Sequence, residues 1–172
     1  MQKVAIVGCG GSGKSHLARQ LGAILGAPVT HLDAVYFDDE WNAPPMEKFA
    51  AAQRDLVAEP RWVIDGNYNS TLPIRLEACD TVVLMDISTP AALWGVFSRQ
   101  IRHGVGHKGN GVHNRITWNV IKYVATYRRK MRPRVTAKVS EHAADHADVV
   151  LLTSRRRTRH WLHQVTADQA DC

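Results

Sequence analysis

The run Gly8-Cys9-Gly10-Gly11-Ser12-Gly13-Lys14-Ser15 fits the pattern G-x-x-x-x-G-K-[ST], and its flanks fit the only context in which that pattern works. Before it, Val4-Ala5-Ile6-Val7 is an apolar run of strand length. After it, Leu17, Leu21, Ile24 and Leu25 recur at helical spacing until Gly26 and Pro28. A strand, a glycine loop and a helix in that order make a cradle for phosphate. The loop turns successive N–H groups inward, and the helix adds its unpaired amides and positive dipole end. Lys14 is expected to neutralise the β- and γ-phosphate oxygens, and the Ser15 hydroxyl to sit on Mg²⁺. Gly8, Gly10, Gly11, Ser12, Gly13, Lys14, Ser15 and His16 are thus the expected ATP-binding set.

The rest of the chain continues the alternation. Val29–Leu32, Trp62–Ile64, Thr81–Met85 and Val149–Leu152 read as further strands. All but the first of these four are continuous apolar runs, as strands covered on both faces should be. Between them, residues 46–58, 91–102, 116–130 and 155–165 carry apolar stripes at helical spacing, and Pro133 is expected to close the third. The expected fold is α/β, a three-layer P-loop NTPase domain with a five-stranded parallel sheet and helices on both faces. One domain covers residues 1–172, with a core at about 1–100 and 134–166 and a basic, lid-like segment at about 101–133. The composition, 45% hydrophobic and 22% charged, is that of a globular protein and excludes a disordered or fibrous chain. No apolar run approaches a membrane span, no leader pattern opens the chain, and Cys9, Cys79 and Cys172 form no C-x-x-C pair. A cytoplasmic protein with reduced thiols is the expectation.

Charge is unevenly spread. The net charge is +6, yet between Asp86 and Glu141 no acidic residue occurs while eleven Lys and Arg do. Such an interval calls for a polyanionic partner, either nucleotide phosphates or nucleic acid. Phosphoryl transfer needs cations beyond the γ-phosphate, where negative charge spreads over the moving group. Arg99 and Arg129 are the expected catalytic cations, with Arg102, Arg128, Arg132 and Arg134 as further lid residues. The Gly- and His-rich stretch His103–Asn114 reads as a surface loop. Three strands end in aspartate. Asp65 is favoured for the Mg²⁺ shell and Asp33 for the acceptor side, as a hydroxyl orienter or base; Asp86 precedes an ordinary helix start and ranks last. Tyr36 and Trp41, beyond Asp33, can stack on a ring or form an apolar lip.

With these residues in place, the chain resembles the adenylate-kinase-like P-loop proteins of the DNA topology modulation (FlaR) type. The matching pieces are GCGGSGKSHLA (8–18), HLDAVYF (31–37) with Trp41, WVIDGNY (62–68), RLEACDTVVLMD (75–86), Leu93-Trp94 and the basic helix ending near Arg134. The resemblance implies an acceptor side around Asp33 to Trp41, joined by Asn67 and by Arg75, and a helical lid carrying arginines. The 103–114 loop lacks the Arg-Pro and Cys-Pro signatures of many lids in that group. The combined expectation is a Mg²⁺- and ATP-dependent phosphotransferase with a small acceptor, a nucleoside monophosphate first and a small hydroxylated metabolite second. The alternative is a nucleotide-regulated DNA-binding protein whose ATP hydrolysis is incidental.

Overall fold

In the computed structural model, residues 1–37, 42–103 and 118–170 are described, apart from the side chains of 99, 100, 102, 103 and 170. Strands β1 (Lys3–Gly8), β2 (Val29–His31), β3 (Trp62–Asp65), β4 (Thr81–Met85) and β5 (Asp148–Leu152) form one sheet in the order β2-β3-β1-β4-β5. Every pairing is parallel, as the predicted α/β architecture requires. Alternation along β1 divides the core. Val4 and Ile6 face one side, packed with Leu17 and Leu21 of α1 (Lys14–Leu25) and Leu162 and Val165 of α8 (Arg155–Ala170). Ala5 and Val7 face the other, under Phe49 of α3 (Met46–Ala58), Leu72 and Leu76 of α4 (Leu72–Ala78), and Val135 and Val139 of α7 (Arg132–His142). The central strand is inaccessible from Val4 to Val7. Val4, Ile6 and Val7 each contribute roughly 1.5–3 kcal/mol by leaving water.

The structure departs from the pattern reading at several places. Leu32 does not end β2; it opens a short helix, α2 (Leu32–Tyr36), and is wholly buried. Helix α4 has too few turns to display a periodic stripe, and Pro73 in its first turn is the local mark of its start. Pro133 closes no helix: it sits in the first turn of α7, where a missing N–H costs nothing. The predicted 116–130 helix appears as α6 (Trp118–Lys130). Among the described residues, no helix is long and apolar enough to cross a membrane.

A third cluster fixes the phosphate end of the sheet. Cys9 from the glycine loop packs with Ala92 and Val96 of α5 (Thr89–His103) and Val124 and Tyr127 of α6. Helix α5 meets the loop backbone to backbone, for a Cβ built on Gly95 would lie 2.1 Å from the Gly11 oxygen. Helix 118–130, placed by the sequence in a lid, is therefore packed on the loop. Gly95→Ala separates two opposed effects. Helix propensity favours alanine by about 1 kcal/mol, whereas forcing a methyl against a backbone oxygen costs about 1–3 kcal/mol. Urea titration should show a net loss of stability; a gain would mean that the contact relaxes freely.

Candidate phosphate-transfer site

The glycine loop joins β1 to α1 at the carboxyl edge of the sheet. Gly13, immediately before α1, has φ 97°, a left-handed conformation that disfavours side chains. The loop holds two polar groups poised for an anion. Lys14 Nζ donates to the Cys9 carbonyl at 2.9 Å, a neutral acceptor that a phosphate oxygen would displace. Ser12 Oγ is buried without a hydrogen-bond partner among the described residues. Helix α1 carries no acid in its first turn, so its positive end is uncompensated. His16 points outward and is exposed.

Register brings in the carboxylate. Parallel pairing sets Ile6 opposite Asp65 on one side and His31 opposite Asp65 on the other. Asp65, only 4% exposed, accepts a hydrogen bond from Ser15 Oγ at 2.8 Å through Oδ2. Its Oδ1 lies 2.5 Å from His31 Nδ1, and because a carboxylate only accepts, Nδ1 carries the hydrogen. Among the described residues, no group of three or more His, Cys, Asp or Glu could hold a metal ion. A divalent cation here would share Ser15 and the Asp65 water shell with ligand oxygens, as Mg²⁺ does on nucleotides. The donor set fits that role.

The turn after β3 is strained and held from several sides. Tyr68 has φ 34°, unusual for a bulky residue and costing of order 1–2 kcal/mol. Asn67 accepts from the Gly8 N–H at 2.9 Å and donates to the Tyr123 hydroxyl of α6 at 2.8 Å. Tyr68 donates to Asp33 Oδ1 at 2.8 Å. Burial pushes the Tyr123 phenol up to about 12, and burial together with Asp33 raises that of Tyr68, so both stay protonated. Arg75 departs from its expected acceptor contact. It is fully buried, donating to the carbonyls of Gly66 at 2.7 Å and Asn67 at 2.8 Å. Desolvation lowers its pKa to about 10, leaving it charged at neutral pH, with Asp65 opposing the shift. Asn67 likewise fastens the loop to α6, so neither residue turns to an acceptor as the resemblance implied.

Beyond the ends of β2 and β3, Asp33 is exposed beside Tyr68. Tyr36 packs against Phe37, Phe49 and Tyr68 with ring centroids 4.7–4.9 Å apart, forming an aromatic floor there. Trp41 lies outside the described residues.

The arginines divide. Arg128 Nε and Arg132 Nε lie 3.2 and 3.0 Å from the carboxylate of Asp86, which is 8% exposed. These two expected lid residues are engaged at the end of β4, and Asp86, ranked last, is their anchor rather than a simple turn residue. Arg129 and Arg134 are exposed. The side chains of Arg99, Arg102 and His103, and residues 104–117 with His107 and His113, lie outside the described portion. Sequence reading missed His31 and Tyr123 as site residues. His31 lies two residues before Asp33 in a quoted motif, but its pairing with Asp65 depends on strand order; Tyr123 read as one member of an apolar stripe.

No family model matches the chain, and no curated protein matches it in sequence. Solved structures do match its fold. The shikimate kinase of Acinetobacter baumannii, determined in complex with shikimate, superposes with a TM-score of 0.61 at 14% identity, over 99% of this chain and 94% of that one. The shikimate kinase of Bacteroides thetaiotaomicron gives 0.57 at 13% identity over 97% of each chain. That of Aquifex aeolicus gives 0.52 at 15% identity over 98% of this chain and 96% of its own. At such identity the likeness establishes the fold alone: an α/β fold built on a five-stranded parallel sheet, shared with those structures.

Because Arg75 braces the turn, its removal should appear first as instability. Arg75→Met leaves two carbonyls without their charged donor, and hydrogen bonds of that kind contribute roughly 1.5–3 kcal/mol each. We expect a loss of about 3–6 kcal/mol in chemical denaturation; unchanged stability would return Arg75 to the acceptor side.

Proposed function

We propose that this protein is an ATP- and Mg²⁺-dependent phosphotransferase with a small, hydroxyl-bearing acceptor. The observation that carries the reading is the joining of Lys14, the unpartnered Ser12 hydroxyl and the Ser15–Asp65 pair at one end of the sheet. The loop amides and Lys14 would bind the triphosphate and offset charge developing at the β–γ bridge. Ser15 and the water shell of Asp65 would hold Mg²⁺, which would supply positive charge against the phosphate oxygens. Ser15 donates its proton to Asp65 and so keeps its oxygen lone pairs for the cation. Asp33, oriented by Tyr68 and sited beyond the neighbouring strand ends, would align the acceptor hydroxyl and take its proton. The likeness to shikimate kinases supports a small acceptor on that side.

The described acceptor side is acidic and aromatic. Arg75, the cation implied there for a nucleoside monophosphate, is turned into the core. Small hydroxylated metabolites therefore come ahead of nucleoside monophosphates among the acceptors to be tested. Lid cations would come from the basic interval, with Arg129 exposed on α6. The topology-modulation resemblance leaves a second reading in which DNA is the partner, and exposed Arg155, Arg156, Arg157 and Arg159 on α8 favour it. A cytoplasmic site of action belongs to either reading.

An acceptor screen with labelled ATP tests the first reading directly. Lys14→Ala should lower kcat by about 10²–10³-fold, the loss seen when one preorganised group is removed from a developing charge. A kcat near wild type would remove Lys14 from the chemistry. Asp33→Asn should abolish transfer to the acceptor while sparing basal ATP hydrolysis, since the metal and triphosphate side stays intact. Loss of both together would place Asp33 with the nucleotide. Duplex DNA titrated against salt decides the second reading: tight, steeply salt-dependent binding with no acceptor found would favour it.

A further inference from the structure

Asp65 can support a cation only while its carboxylate is held in one orientation. A carboxylate turns readily about its Cβ–Cγ bond, and the Ser15 hydroxyl fixes only Oδ2. The other oxygen is taken by His31 Nδ1–H at 2.5 Å. Nothing about His31 is loose. Its Cα is in register with Asp65 in the β2–β3 ladder. The next residue, Leu32, is wholly buried as the first residue of α2, and its side chain lies where a Cβ on Gly66 would be 2.8 Å away. Strand pairing on one side and a buried anchor on the other thus present the imidazole N–H at a fixed place.

We infer that His31 is a positioning residue for the metal shell. Its hydrogen bond to Asp65 Oδ1 keeps Oδ2 available to the Ser15 proton, so that the Ser15 oxygen remains turned to a nucleotide-bound divalent cation. The inference rests on the reading of Asp65 as the metal-shell carboxylate. Outer groups that orient such ligands typically carry ten- to a hundred-fold in metal affinity, about the scale expected here.

The test is a direct binding measurement. Mn²⁺ is titrated into the protein–ADP complex and followed by electron paramagnetic resonance, with metal-free ADP affinity measured alongside in EDTA. His31→Leu should weaken Mn²⁺ binding by roughly ten- to a hundred-fold and leave metal-free ADP binding unchanged. His31→Asn, whose side-chain amide can put an N–H where Nδ1 stands, should recover most of the affinity. In an Asp65→Asn background, His31→Leu should cost nothing more, because the two act through one carboxylate. Wild-type Mn²⁺ affinity in His31→Leu would overturn the inference. So would an equal loss of Mn²⁺ and metal-free ADP affinity, since that reports a merely structural residue. If Asp65→Asn itself binds Mn²⁺ like wild type, the metal-shell reading falls, and the inference with it.

Discussion

Burying the Asp65 charge at the carboxyl end of β3 costs several kcal/mol in lost hydration, and the surrounding structure is arranged to offset that cost. Ser15 donates to one oxygen and His31 to the other. The guanidinium of Arg75, itself desolvated, adds an attractive charge from behind the turn. None of these groups is near Asp65 in sequence except Arg75; the rest arrive through the β2-β3-β1 strand order. The sheet register is therefore also the geometry of the site. A one-residue slip of β3 would turn Asp65 to the opposite face and leave the glycine loop without its carboxylate.

The same turn links Asp33 to the glycine loop. Tyr68 is held in a left-handed conformation while Arg75 grips the two carbonyls before it, Asn67 ties it to Gly8 and α6, and its own hydroxyl reaches Asp33. Over-determination of this kind is what allows a strained residue to persist. It also means that Asp33 and the glycine loop are separated by only a few hydrogen bonds. A displacement of Asn67 would disturb the Gly8 amide of the glycine loop and the middle of α6 together.

How far this was legible from sequence depends on the distance over which each feature is encoded. The glycine loop and its flanking strand and helix are local, so Lys14, Ser15 and the start of α1 could be placed from spacing alone. Asp65 was legible because an apolar run ending in aspartate is also local. Orientation is not. The same letters Arg75 and Asn67 serve equally as acceptor contacts or loop braces, and only the packing of α4 against α3, α7 and β1 decides for the brace. Pro133 was ambiguous for another reason: proline stops one helix and suits the first turn of the next, and α6 and α7 are nearly continuous. Arg128 and Arg132 read as free charge because their partner, Asp86, lies on the far side of the acid-free interval.

Strand β2 has three residues and pairs with β3 alone, at the edge of the sheet. Short edge strands belong to the low end of the stability distribution and open more often than the centre. Here such a strand supplies His31 to the buried carboxylate of the site. The ladder and the carboxylate hold His31 together, so a ligand that fixed Asp65 on the proposed reading would also hold the edge more firmly. Amide exchange along Val29–His31 would then report occupancy of the glycine loop, turning a short edge strand of the sheet into its gauge.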